Sequence, residues 1–378
     1  MKNKQMPFAL YNALLCLLAA AVFVLGVMCV QAAEERYYLK WDVSEDRVTQ
    51  LSDYTQSRLD ALQEDVTLHL VHSPGSSTLF DLQQETLLKM AAECDHVNVV
   101  YLDPEAQPHL LLALAGDTAG IAEGTVVVQN ENATRTVRIN AEEFMFARRI
   151  GEEEYTIYCG EAMLIGGIDR AVDEDPAAVW FVQGHGEPET DALSQWMLQC
   201  RAMGLEVRSG AMGLMSPKAG DVVAVVDPQV DLTLAETDAL KALLADGVHL
   251  IVACGADTPV DRLHNLQALC DLYGLAFRSG WTVENPTETG YFVDEPALLT
   301  PALTADNGVM TTLPGRLILP RASALAEAAL RPGVTARVLL TTSDRAVLKA
   351  DVNAATHEAE LGDESGAVPL AILAQAGD

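Results

Sequence analysis

The chain has 378 residues, which exceeds the length of one ordinary domain and predicts two folded units. Its composition, 49% hydrophobic and 21% charged, is typical of globular proteins and excludes a largely disordered or fibrous chain. The 54 acidic and 24 basic residues give a formal net charge of -30, which repels phosphate backbones, so we expect no nucleic acid as a partner.

An apolar segment near the N-terminus is the clearest local pattern. No charged residue occurs between Lys4 and Glu34, and the run from Ala13 to Val30 is uninterrupted. A run of ~18–20 apolar residues can cross the hydrocarbon layer as a helix, so we predict a transmembrane helix over residues 8–31 that contacts membrane lipid. Lys2 and Lys4 precede this helix. The positive-inside tendency therefore places the N-terminus in the cytoplasm and the bulk of the chain outside.

A cleaved signal peptide is the alternative for this segment, because Val30-Gln31-Ala32 resembles a weak cleavage site. The apolar part of such peptides usually spans only ~7–15 residues, which is shorter than the run found here. We therefore expect an uncleaved, single-pass anchor in the plasma (inner) membrane.

The next segment, residues 34–150, alternates strand and helix patterns. Val66 to Val71 shows the period of two that is typical of a half-buried strand. The patterns that follow predict a helix, a strand, a short helix and two further strands, in the order Leu79–Ala92, Val97–Leu102, Gln107–Ala115, Thr125–Val128 and Thr134–Ile139. This βαβαββ order resembles a thioredoxin-like core. The loop after the first strand contains no cysteine, so we predict a thioredoxin-like α/β domain without a redox centre.

The second half of the chain predicts a different α/β domain. Residues 151–176 are charge-rich with a helical stripe, which indicates a helical linker. Ala178 to Val182 is continuously apolar, which is typical of a strand buried on both faces of a parallel sheet. Further strand patterns at Val222–Val226 and His249–Ala253 alternate with amphipathic helices. We therefore predict a Rossmann-like, doubly wound α/β domain over residues 177–378.

One sequence element in this domain is a candidate for function. Gly184, His185, Gly186 and Glu187 follow the predicted strand, at the edge where doubly wound sheets bind ligands. His185 and Glu187 are suited to act as a base and an acid, but the adjacent sequence supplies neither a nucleophile nor further metal ligands. We interpret these four residues as an interaction loop and predict no catalytic, cofactor-binding or metal site.

Two other hypotheses remain open from the residues alone. Cys254 follows a strand, as a catalytic nucleophile would, although the flanking glycine pattern of a nucleophile elbow is incomplete. A membrane-tethered hydrolase or amidotransferase-like enzyme that uses His185, Glu187 or Cys254 would require these groups to converge in one pocket. The other hypothesis is a ligand-sensing ectodomain with a cleft between its domains. No phosphate-binding string occurs at the strand–helix junctions, and the seven cysteines include no C-x-x-C pair.

Several separated strings resemble the GldG-type auxiliary components of ABC transporters, which are related to bacterial ABC-2 exporter systems. They are Trp41–Ser52 ahead of the first strand, Trp180–Glu187 with Gly-His-Gly-Glu at its end, Asp227-Pro228, Leu272–Gly274 and Leu339–Ser343. The resemblance covers nearly the whole chain from about residue 8. It implies an extracytoplasmic, non-catalytic subunit beside separate ABC-2 type permease and ATPase subunits, and in some systems a role in gliding motility.

The chain departs from that family at its C-terminus. Family members commonly carry a closing membrane helix after a stretch like Pro369–Ala374, so this chain is either truncated or lacks that helix. The second domain also resembles the domain shared with intraflagellar-transport proteins and, distantly, amidotransferase-like folds, whose catalytic elbow is not matched. Because one fold hosts many functions, this last likeness does not transfer any chemistry.

Overall fold

A computed structural model of the chain describes residues 50–73, 77–115, 121–150, 153–284, 291–292, 295–304, 309, 317–329, 331–354 and 356–377. The described residues divide into two compact units. The first comprises the residues up to Pro176 together with Leu198–Leu205, and the second comprises Ala177–Met197 and the residues from Glu206 onward. The helix predicted over residues 8–31 lies outside the described part. Within the described part, no helix is both long and apolar enough to cross a membrane.

The first unit is built on a four-stranded sheet. Its elements in chain order are α1 (Asp53–Asp60), β1 (Val66–Val71), α2 (Thr78–Glu93), β2 (Val97–Leu102), α3 (Pro108–Ala115), β3 (Val126–Asn130) and β4 (Thr136–Ile139), with a 3-10 turn at Ala141–Phe144. The strand order is β2-β1-β3-β4, in which β1 runs parallel to β2 and antiparallel to β3. The individual strands and helices predicted for this segment are confirmed to within a residue or two.

The core of the first unit lies against one face of that sheet. Strands β5 (Met145–Ile150) and β6 (Glu153–Tyr158) pair antiparallel, and the helix α4 (Gly160–Val172) follows them. Leu68 and Leu70 of β1 are fully buried in one cluster with Leu164 and Ile165 of α4. The segment predicted as a helical linker, residues 151–176, therefore supplies a core helix of this unit, because its apolar side chains cover the sheet.

The second unit contains a sheet of four parallel strands. Its elements are β7 (Ala178–Val182), α5 (Ser194–Ala202, which belongs to the first unit from Leu198 onward), β8 (Glu206–Gly210), β9 (Val222–Val226), α6 (Leu234–Ala245), β10 (His249–Ala253) and α7 (His264–Asp271), with 3-10 turns at Met212–Leu214 and Val260–Arg262. The strand order is β10-β9-β7-β8, and every residue of β7 is buried. Because the strands are parallel, their carboxyl ends meet at one edge of the sheet.

The fold class predicted from the sequence is wrong. The described chain is mixed α/β with many short strands, and the Rossmann-like alternation ends at α7 instead of continuing to residue 378. The strands that follow are β11 (Leu275–Arg278), β12 (Trp281–Val283), β13 (Tyr291–Phe292), β14 (Glu295–Leu299), β15 (Ala302–Leu303), β16 (Leu319–Pro320), β17 (Ala324–Glu327), β18 (Val334–Thr341), β19 (Val347–Lys349), β20 (Glu364–Ser365) and β21 (Pro369–Ala376).

These later strands form small sheets in the orders β11-β17, β12-β19-β20, β13-β14-β16 and β15-β18-β21. Every pairing within these sheets is antiparallel. Most of these strands are too short to show a period-two pattern, so they could not be predicted from hydrophobic periodicity.

A buried ion pair lies in this β-rich part. The side chain of Lys349 is 0% exposed, and its Nζ lies 2.6 Å from Asp363 Oδ2 and 2.9 Å from Glu360 Oε2. It also donates to the carbonyl oxygen of Glu358 at 2.8 Å. The hydrogen bond from Lys349 lowers the pKa of Asp363 to about 2. These three partners compensate for the removal of the ammonium group from water.

Candidate functional site

The candidate site lies at the carboxyl edge of the parallel sheet in the second unit. The sequence-predicted loop, Gly184 to Glu187, follows β7, and the loop that follows β9 lies directly beside it. Gln229 and Val230 in that second loop both donate their backbone N–H to the carbonyl oxygen of His185, at 2.8 Å each. Neighbouring loops at this edge are the usual place for ligand or partner binding in parallel α/β sheets.

The His185 imidazole lies between two carboxylates. Its Nδ1 is 3.2 Å from Glu187 Oε1, and its Nε2 is 3.2 Å from Glu236 Oε2. The backbone N–H of His185 also donates to Glu187 Oε2 at 2.6 Å, so both oxygens of Glu187 are engaged. His185 is 7% exposed and Glu187 is 8% exposed. A neutral imidazole can donate to only one of the two carboxylates, and the tautomer decides which one.

Glu236 has a second role at the start of α6. Thr233 and Glu236 form a capping box, in which Thr233 donates to Glu236 Oε2 from its backbone nitrogen at 2.9 Å and from its hydroxyl at 2.7 Å. Burial alone would raise the pKa of Glu236, but the hydrogen bonds from Thr233 and His185 lower it below its usual range. The cap of α6 and the His185 loop therefore share one carboxylate.

Two glycines determine the path of the loop. Gly184 has φ of 123° and Gly186 has φ of 82°, values that favour glycine. A Cβ at Gly186 would lie 2.8 Å from Gln229 Cβ, whereas a Cβ at Gly184 would have no atom within 4 Å. Both glycines are exposed, and the side chains of His185 and Glu187, between and after them, are buried. The loop therefore presents backbone to solvent and keeps its ionisable groups inside.

Two exposed aliphatic side chains belong to the chain segments that contact this loop through Val230 and Glu236. Val230, whose N–H contacts the loop, is 61% exposed, and Leu234, the first residue of α6, is 71% exposed. We call Gly184, Gly186, Val230 and Leu234 the glycine-loop patch. Its exposed atoms are apolar side chains and main chain, which makes it a surface for packing rather than for acid–base chemistry.

Cys254 also follows a strand at this edge, but its environment does not favour a nucleophile. Burial, reinforced by the neighbouring Cys270 and Asp227, raises the pKa of the Cys254 thiol to about 12. The thiolate is the reactive form of cysteine, so at neutral pH this group is a poor nucleophile. Among the described residues, the hydrogen bonds of the His185 ring go to carboxylates, and none joins it to Cys254.

The arrangement also does not provide a metal centre. Within the part of the chain that the structure describes, no group of three or more His, Cys, Asp or Glu side chains has the geometry to hold a metal ion. The structure brings together His185 and Glu187 and adds Glu236 and Val230, which sequence reasoning did not place at this site. The spacing of Thr233 and Glu236 matches the capping-box pattern, but no local pattern signals the contact of Glu236 with a histidine 51 residues away.

The comparisons with known proteins give little further information. No family model matches the chain, and no curated protein matches it. A solved structure described as the mmIFT52 N-terminal domain is similar at 19% identity, with a TM-score of 0.34 over 45% of this chain and 75% of that chain. A likeness at that TM-score supports no conclusion about function, so the function must be argued from the site itself.

Proposed function

We propose that this chain is a non-catalytic auxiliary subunit of an ABC-2 type transporter, located at the extracytoplasmic side of the plasma (inner) membrane. In this role it associates with the permease subunit through the glycine-loop patch, and with the ATPase subunit as part of the same complex. The observation that carries the proposal is the patch itself, which combines the exposed side chains of Val230 and Leu234 with exposed glycine backbone.

The internal hydrogen bonds of the loop support a binding role. Protein interfaces are depleted of charge at their centre. This loop buries the side chains of His185 and Glu187 and exposes glycine backbone in their place. Because His185 is held by Glu187 and Glu236, the loop has a defined shape before a partner binds, which reduces the entropic cost of association.

The hydrolase alternative gains less support from the same residues. A general base must be able to take the proton of a nucleophile within about 3 Å, and both ring nitrogens of His185 face carboxylates. The raised pKa of Cys254 also opposes thiolate formation at neutral pH. A transporter auxiliary subunit needs neither a general base nor a reactive thiolate.

The test is affinity purification of the full chain from membranes of its native host in mild detergent, followed by mass spectrometry. We expect an ABC permease and an ATPase to be recovered in near-stoichiometric amounts with the wild-type chain. The double variant Val230→Asp/Leu234→Asp places charge on the patch and should lose both subunits. Leu361→Asp is the matched control, because Leu361 is fully exposed in the second unit and does not belong to the patch.

Three results would overturn the proposal. One is recovery of the wild-type chain without transporter subunits, and another is retention of the subunits by the double variant. The third is equal loss of the subunits by the double variant and the Leu361→Asp control, which would show that the effect is not specific to the patch. Circular dichroism of each purified variant establishes that it is folded before its partners are compared.

A further inference from the structure

A cavity in the first unit lies apart from the site described above. Its volume is about 510 Å³, within the range of ~300–1,000 Å³ that is typical of small-molecule sites. It is lined by the start of α1, the middle of α2 and the junction between β6 and α4. All of these elements belong to the first unit. No part of the proposed transporter role uses this cavity.

Three groups of the lining, Thr86, Tyr158 and Cys159, have already donated their own protons. Thr86 donates its single hydroxyl proton to the carbonyl oxygen of Leu82 at 2.9 Å, so in the 3.1 Å contact between Thr86 and Tyr158 the Tyr158 hydroxyl must donate. The Cys159 thiol donates to the carbonyl oxygen of Glu143 at 3.2 Å. The Tyr158 hydroxyl and the Cys159 thiol therefore have only lone pairs left to offer to a ligand.

The Glu161 carboxylate at the start of α4 also has acceptor capacity left for a ligand. Ser52 donates to Glu161 Oε1 from its backbone nitrogen at 2.7 Å and from its hydroxyl at 2.5 Å. Among the described residues, both hydrogen bonds that Glu161 accepts fall on Oε1, which leaves the acceptor capacity of Oε2 for a ligand. Because Glu161 already places a negative charge in the first turn of α4, the positive end of that helix is compensated.

The charges of the lining favour a cation. The cavity contains two carboxylates, Glu85 and Glu161, and one ammonium, Lys89, which lies 3.0 Å from Glu85. The opposite charges of Glu85 and Lys89 cancel each other, so the net charge of these three groups is the negative charge of Glu161. The rest of the lining includes the rings of Tyr54 and Tyr158 and aliphatic side chains, which suit an apolar body next to a positive group.

We propose that this cavity binds a small organic ammonium ion, with its N–H donors on Glu161 and Tyr158 and its apolar body against the tyrosine rings and aliphatic side chains. An ammonium group carries three donors and no acceptor, which complements the acceptors that Glu161 and Tyr158 offer. A neutral alcohol of the same shape would lose the charge-assisted hydrogen bond to Glu161, and a carboxylate would be repelled by it.

The test uses three probes of one shape and different charge, namely 2-phenylethylamine, 2-phenylethanol and phenylacetate. Binding of each to the full chain is measured by ligand-observed NMR titration at neutral pH. We expect saturable binding of the amine that is about tenfold tighter than binding of the alcohol, and no binding of phenylacetate.

Two variants locate the binding. Glu161→Gln keeps a carbonyl acceptor for Ser52 but removes the charge, and should weaken the amine about tenfold. Glu93→Gln is the matched control, because Glu93 is an exposed carboxylate at the end of α2 that does not line the cavity, and both changes alter the net charge equally. Ala162→Leu adds bulk to the lining at an exposed helix position and should abolish binding of every probe.

The proposal is overturned if no probe binds in a saturable way, or if the alcohol or phenylacetate binds as tightly as the amine. It is also overturned if Glu161→Gln and Glu93→Gln bind the amine equally well. The melting temperature of each variant is compared with that of wild type. A variant that has lost binding but keeps the wild-type melting temperature has lost the site and not the fold.

Discussion

Replacement of Gly186 by alanine tests the packing that gives the His185 loop its shape. A Cβ at this position would lie 2.8 Å from Gln229 Cβ, and Gln229 cannot easily withdraw because its backbone N–H donates to the carbonyl oxygen of His185 at 2.8 Å. Gly184→Ala is the control, since it also has a positive φ but meets nothing within 4 Å. Both variants bear the backbone cost of an alanine at positive φ, roughly 1–3 kcal/mol.

The steric contact adds a further cost in Gly186→Ala alone. Overpacking typically costs about 1–3 kcal/mol, so we expect the free energy of unfolding of Gly186→Ala to be lower than that of Gly184→Ala by about that amount. Urea denaturation followed by tryptophan fluorescence suits the measurement, because Trp180, Trp196 and Trp281 all lie in the second unit. If the two variants are equally stable, or if Gly184→Ala is the less stable one, the contact between Gly186 and Gln229 does not determine the loop.

The remaining predictions concern a helix cap, a buried ion pair and a thiol. Thr233→Ala removes the N-cap of α6 and should lower the free energy of unfolding by about 1 kcal/mol, and an NMR titration should show the pKa of Glu236 rising towards its ordinary value. An unchanged Glu236 titration would contradict the assigned role of Thr233. Asp363→Asn leaves the buried Lys349 less compensated and should cost about 3 kcal/mol at pH 7 in urea denaturation. Because the pKa of Asp363 is lowered to about 2, the stabilisation is complete above the unfolded carboxyl pKa of about 4 and is lost as the pH falls towards 2, so the variant and the wild type should converge there. A constant difference between them down to pH 2 would refute this assignment. Iodoacetamide at pH 7.5 should leave Cys254 unmodified in the folded chain and modify it in urea, as read by mass spectrometry, because its pKa is raised to about 12; rapid modification of the folded chain would show that the thiol is activated.

The sequence predicts local elements well where one pattern is long enough to define them. The period-two alternation of Val66 to Val71 and the apolar run Ala178 to Val182 coincide with β1 and β7 as the structure has them. The capping box of Thr233 and Glu236 is likewise present at the start of α6. In each case the signal lies within a few consecutive residues and needs no knowledge of the partner elements.

Sheet order and long-range contacts could not be predicted in the same way. The alternation of His69 with Leu68 and Leu70 predicts a surface or edge position for this histidine, yet β1 lies between β2 and β3, and burial lowers the pKa of His69 below its usual value. The contact of Glu236 with His185 depends on two loops meeting at one sheet edge. The short strands beyond α7 pair with partners far along the chain, and a strand of two or three residues has no periodicity to detect.

The long-range pairing of β12 also determines when this part of the chain can fold during synthesis. Trp281 at the start of β12 donates from its indole nitrogen to the carbonyl oxygen of Asp351, which is 70 residues further along. At roughly 5–20 residues per second, a ribosome needs several seconds to produce that partner. During this interval the apolar residues of β12 have emerged without the strand that covers them, so a chaperone that binds this segment would protect it while the rest of the chain is being made.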